Sequence, residues 1–234
     1  MFLINKNQND IINSELINSY EIEYNFNDTP INRIKNRENK QNKQEMLDDL
    51  KKNLSKIENC ELKKNATKLV FGEGNIKSPV MIVGEGPGQK EDQLGRPFVG
   101  DAGTLLNKML NAIKIDRNNV YITNVVNYRP PNNRKPEGKE IIKYANYLKE
   151  HILIINPKIL ILMGSTAMES LFGFNIKISK ERGLWKEVII NQKTFLAMIT
   201  FHPAYLLRQP EQKKYSWMDL KIIRSKIDEL GIII

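Results

Sequence analysis

From residue 78 onward the apolar positions follow two rhythms. Short unbroken runs, "PVMIVG" (79–84), "VYITNVV" (120–126), "KILILMG" (158–164) and "FLAMITF" (195–201), alternate with stretches in which apolar residues recur every three or four positions. The runs are rich in β-branched residues and bounded by turn formers, which predicts strands buried on both faces. Leu105, Leu106, Met109, Leu110 and Ile113 predict a helix that Asp101 caps. Residues 137–155, 165–172 and 218–230 predict three more, the last stopped by Gly231. Strand alternating with helix predicts a central, mainly parallel four-stranded sheet covered on both sides, a three-layer α/β/α sandwich.

Upstream the pattern weakens. Leu47, Leu50, Leu54 and Ile57 predict one more amphipathic helix packed on the body, whereas residues 1–44 hold no sustained period. "NRIKNRENKQNKQ" has almost nothing to bury, so 1–44 reads as a flexible basic extension and 45–234 as the folded domain.

Composition narrows the classes. Thirty-six Lys and Arg against 27 Asp and Glu leave a net charge of +9, which favours a polyanionic partner. The single cysteine, Cys60, cannot form an internal disulfide, and no stretch is apolar enough to span a bilayer. These features predict a cytoplasmic monomer with no membrane partner.

In a parallel sheet, ligands bind at the carboxyl ends of the strands. There the sequence places "GEGPG", Asn124, "GST" and "HPAYLLRQP", four polar loops converging on one crevice. Neither a dinucleotide-binding glycine pattern nor a phosphate loop with its lysine is present. Taken singly, Phe98 reads as core, Asn124 as a turn residue and His202 as a local hydrogen-bonding group.

In order and spacing, the blocks "VFGEGN", "VGEGPGQKEDQLGRPFVGDAGTLL", "VYITNVVNYRPPNNRKP", "ILMGSTA" and "HPAYLLRQP" resemble the family 4 uracil-DNA glycosylases from about residue 46 to residue 230. The resemblance implies an enzyme of base excision repair. It would flip uracil out of single- or double-stranded DNA, hydrolyse its N-glycosidic bond and leave an abasic site, close to the nucleoid. Gly84, Glu85, Gly86 and Glu91 would surround the base, with Phe98 stacking on it and Asn124 pairing with its edge. His202 would hydrogen-bond the carbonyl beside the scissile bond, and Glu85 would place the water or stabilise the cationic sugar. Leu206 matches the side chain that fills the hole left by the base, while Arg208, Arg129, Ser165 and Thr166 would hold DNA phosphates, with Arg134 and Lys135 nearby.

The family also holds a 4Fe-4S cluster on four cysteines, and the matching positions here are Ile57, Cys60, Tyr128 and Tyr144. A cluster needs its thiolates, so the sequence predicts no metal and no cofactor. That loss opens an alternative, an inactive DNA-binding module of the same fold.

Overall fold

The computed structural model describes residues 42–234, and the extension expected over 1–44 lies outside that span except for its last residues. The described region opens with helix α1 (Lys43–Ser55). Its first turn is closed reciprocally, the Asn42 side chain accepting from the Gln44 amide and Glu45 accepting from the Asn42 amide. Leu47, Leu50 and Leu54 are buried on its inner face, as their spacing requires, and Ile57 follows them into the same core.

The elements that follow are α2 (Glu61–Asn65), β1 (Gly72–Gly74), β2 (Val80–Gly84), α3 (Gln89–Leu94), α4 (Asp101–Ala112), β3 (Tyr121–Asn124) and α5 (Gly138–Ile155). Then come β4 (Ile159–Met163), α6 (Ser165–Phe172), α7 (Ile178–Glu181), β5 (Trp185–Ile190), β6 (Lys193–Thr200), α8 (Pro203–Arg208) and α9 (Lys213–Glu229). The sheet order is β1-β3-β2-β4-β6-β5. The four expected strands are its parallel centre, β3-β2-β4-β6. The expectation of four strands is corrected to six, because β1 and β5 add antiparallel edges. Neither edge carries the apolar run of a doubly buried strand. β1 is Gly-Glu-Gly, held through pairing with β3, and β5 forms a hairpin with β6 across Asn191 and Gln192, both at positive φ.

The unbroken apolar runs have a geometric cause. In β2 and β4, Met81, Val83, Leu160 and Leu162 face the core shared with α1, α5 and α6. The alternate residues Val80, Ile82, Ile159 and Ile161 face the core shared with α4, α8 and α9. Each strand therefore needs apolar residues on both sides of its pleat.

Helix ends moved in two places. α9 starts at Lys213 rather than 218, and Asp101 is the first helical residue of α4, after Gly100, so it does not cap that helix. Among the described residues no helix is long and apolar enough to cross a membrane.

Candidate active site

The order of the parallel strands reverses at β2, with β3 on one side and β4 on the other. The carboxyl edge around this point opens into a cleft of about 810 Å³, the place where open α/β sheets bind ligands. Backbone bonds join its two central loops: Val125 donates to the Gly84 carbonyl (3.0 Å) and Val126 to the Glu85 carbonyl (3.2 Å). Glu85, Gly86, Glu91, Phe98, Asn124 and His202 all line the cleft. Gly84 lies beneath them. A Cβ on Gly84 would come within 2.4 Å of Asn124 Oδ1 and 2.5 Å of Phe98 Cζ, so only a glycine lets this strand end pass under both side chains.

Phe98 is buried and held in the left-handed region at φ 51°. An aromatic residue adopts that conformation only where its surroundings enforce it. Two side chains do so. Glu91 Oε1 accepts from the Val99 and Gly100 amides (2.9 and 2.7 Å), and Arg117 donates to the carbonyls of Pro97 (2.7 Å) and Phe98 (3.0 Å). Arg117 is itself oriented by Glu73 at 2.6 Å. Glu91 and Asp92 are thus buried structural carboxylates, Asp92 accepting from the Thr67 and Lys68 amides (2.8 and 3.0 Å). Sequence reasoning missed Arg117, which belongs to no motif, and gave no role to Glu73 inside "VFGEGN"; Arg117 reaches Phe98, and Glu73 reaches Arg117, only in three dimensions.

His202 is the N-cap of α8, and its Nδ1 accepts from the Ala204 amide at 3.2 Å. An accepting Nδ1 carries no proton, so the proton of the neutral ring sits on Nε2. Burial, helped by the positive charge of Arg208, lowers the imidazole pKa to about 4. Among the described residues, Nε2 is buried without a partner, and so is Asn124 Oδ1. Because buried polar atoms are nearly always paired, a donor and an acceptor left open in one cleft mark a place prepared for a polar ligand. Phe98 lies beside them, its ring 5.4 Å from that of His202.

The segment carrying His202 is anchored from below. Thr200 accepts the Gly164 amide on its carbonyl (2.9 Å) and donates its hydroxyl to Asp219 Oδ2 (2.7 Å). Asp219 is fully buried and paired with Arg182, and burial raises its pKa.

The expected phosphate contacts divide. Ser165 and Arg208 line the cleft, as do Arg134 and Lys135, which are paired with Glu140 and Glu169. Arg129 is partly exposed outside the lining, donating to Asn133 Oδ1 at 2.8 Å. Thr166 is fully buried and donates to Glu85 Oε2 at 2.6 Å, so its hydroxyl does not face solvent. Leu206, expected to enter DNA, is 1% exposed in the core with Leu106 and Leu110, while its neighbour Leu207 is 43% exposed. A helical turn decides this, since adjacent residues on α8 face different directions.

A family model described as the uracil DNA glycosylase superfamily matches residues 71–224. The type-4 uracil-DNA glycosylase of Thermotoga maritima is 41% identical over 192 residues, covering 81% of this chain and 98% of that protein. That of Archaeoglobus fulgidus is 38% identical over 190 residues, covering 80% and 94%, and that of Sulfurisphaera tokodaii 41% identical over 186 residues, covering 76% and 83%.

This kinship corrects the expectation that no cofactor is bound. Type-4 glycosylases are the family that holds a 4Fe-4S cluster, and membership counts for a cluster rather than against one. The four matching side chains carry one thiol. Ile57, Cys60, Tyr128 and Tyr144 are all buried in one core, with Cys60 Sγ and Tyr144 Oη 3.2 Å apart and the Tyr144 pKa raised by burial. That donor set does not fit a cluster on these four side chains alone. With a family model matching residues 71–224, and with the first two relatives aligned over 98% and 94% of their length, the chain belongs to the uracil DNA glycosylase superfamily and, within it, to the type-4 uracil-DNA glycosylases.

Proposed function

We propose that this chain flips uracil out of DNA and hydrolyses its N-glycosidic bond, leaving an abasic site for base excision repair. The carrying observation is the pair of buried, unpartnered atoms in the cleft, Asn124 Oδ1 and His202 Nε2. Asn124 Oδ1 needs a donor, and the imide N–H of uracil is one. Cytosine has an unprotonated nitrogen at that position and would leave two acceptors facing each other, a loss of about 1–3 kcal/mol for each unpaired group. Phe98 offers the face for stacking.

His202 Nε2–H donates to the uracil carbonyl beside the scissile bond. As that bond breaks, the sugar gains oxocarbenium character and the base departs as an anion, so this hydrogen bond strengthens toward the transition state. The Glu85 carboxylate stabilises the cationic sugar or orients the attacking water. Ser165 and Arg208 on the rim hold flanking phosphates, and Leu207, exposed where Leu206 is not, is the apolar side chain of α8 able to fill the gap in the stack. The chain acts as a monomer on intracellular DNA.

The test is alkaline cleavage of uracil-containing oligonucleotides after incubation with purified protein. Cleavage at uracil and not at thymine or cytosine is expected. Intact oligonucleotides with undiminished DNA binding would overturn the catalytic reading in favour of a binding module.

A further inference from the structure

Thr166 was expected on a DNA phosphate, but its surroundings assign it other work. It is fully buried, whereas Ser165 beside it is partly exposed and lines the cleft. Its hydroxyl reaches 81 positions back along the chain to Glu85 Oε2, at 2.6 Å. At that length it is a well-formed O–H···O hydrogen bond. Among the described residues this is the one hydrogen bond of the Glu85 side chain.

We infer that Thr166 is a positioning residue for the reaction, tying one oxygen of Glu85 so that the other is held toward the cleft. Glu85 sits at the end of a flexible side chain on the glycine loop, and free rotation would spread its charge over many positions. Thr166 has a branched Cβ with few rotamers and lies in the first turn of α6, where Met168 donates to the Gly164 carbonyl (3.2 Å). Gly164 in turn donates to Thr200, two residues before His202. Both groups assigned to the transition state, the carboxylate for the sugar and the imidazole for the base, are thereby referred to one rigid junction between β4 and β6. Holding reacting groups in register lowers the barrier without adding affinity for DNA.

This inference rests on the reading of Glu85 given above, and its test separates the two. Thr166→Val keeps the shape and removes the hydroxyl, and Thr166→Ser keeps the hydroxyl. Excision from a uracil-containing oligonucleotide is measured in single turnover, and affinity is measured with an oligonucleotide carrying a 2′-fluoro uracil nucleotide that resists hydrolysis. Thr166→Val should slow excision about 10- to 100-fold, the range of a lost hydrogen bond to a charged group, with affinity changed less than about twofold. Thr166→Ser should recover most of the rate. In a Glu85→Gln background, Thr166→Val should cause little further loss, because the group it positions is already gone.

An unchanged rate in Thr166→Val, a loss seen mainly as weaker affinity, or a loss that multiplies with Glu85→Gln would overturn the inference. A fully active Glu85→Gln would remove the Glu85 reading and the inference with it. A slow Glu85→Gln beside a fast Thr166→Val would overturn the inference alone. Thermal unfolding checks that each variant is folded, and Thr166→Ala replaces the valine variant if that one is not.

Discussion

Replacing His202 with alanine removes the donor proposed for the departing base, and the structure sets the size and pH dependence of the effect. Nδ1 is occupied by the Ala204 amide, so the donor is Nε2–H of a neutral ring, and a pKa near 4 leaves roughly one imidazole in a thousand protonated at pH 7. Loss of one preorganised donor at a developing anion costs about 2.7–4 kcal/mol of barrier, or about 100- to 1,000-fold in rate. The same substitution removes the N-cap of α8, an independent loss of about 1 kcal/mol in stability. Single-turnover excision at saturating protein, measured from about pH 5 to pH 8, separates the two. The wild-type rate should show no titration of this histidine in that range. His202→Ala should lower the rate by the same factor throughout, with affinity for DNA little changed. A rate limb near pH 6–7 that disappears in the variant would refute the neutral donor, and a loss smaller than about threefold would refute the role itself.

Asn124→Asp should abolish most uracil excision, because a carboxylate cannot donate to the uracil carbonyl, and an unchanged rate would show that Asn124 does not read the base. Gly84→Ala should also collapse activity, since the added methyl would lie 2.4 Å from Asn124 Oδ1; overpacking costs about 1–3 kcal/mol, which chemical denaturation will show. Leu206→Ala should destabilise the fold by about 2–5 kcal/mol, against about 0.5 kcal/mol or less for Leu207→Ala, and equal values would contradict the burial of Leu206. Stability should fall as pH drops from about 6.5 toward 4. His151 and His202 have folded pKa values lowered to about 3 and 4 by burial, so over that window the unfolded chain binds protons that the folded chain refuses. Asp219, whose pKa burial raises, opposes this trend, so the histidines are followed directly by NMR beside the urea midpoints, and protonation of either imidazole in the folded protein between pH 7 and pH 5 would mean that they are not held neutral.

The sequence by itself determined the layers and the edge of the sheet at which the cleft opens. Its four apolar runs became the parallel strands because doubly buried strands must be apolar on both faces, and the helix over 165–172 emerged with the same ends. Glu85, Asn124 and His202 were legible as a cluster because each sits at or just after a strand end, and parallel topology brings those ends to one edge, whereas Phe98, which reads singly as core, was singled out only by the resemblance. The two edge strands were not legible, since pairing with a neighbour rather than an apolar period holds β1 in place.

Only the tertiary structure decided which way neighbouring side chains face. "LLRQP" does not say that Leu206 turns inward and Leu207 outward, nor does "GST" say that Ser165 meets the cleft while Thr166 is bound to Glu85. It also decided how Phe98 is held, through Arg117 and Glu91, and that Asn124 Oδ1 and His202 Nε2 have no partner among the described residues. Strand and helix periods are local and can be read along a chain. Which hydrogen bonds are satisfied, and which buried atoms stay open for a ligand, depends on residues far apart in sequence that meet only when the sheet and its two layers have packed.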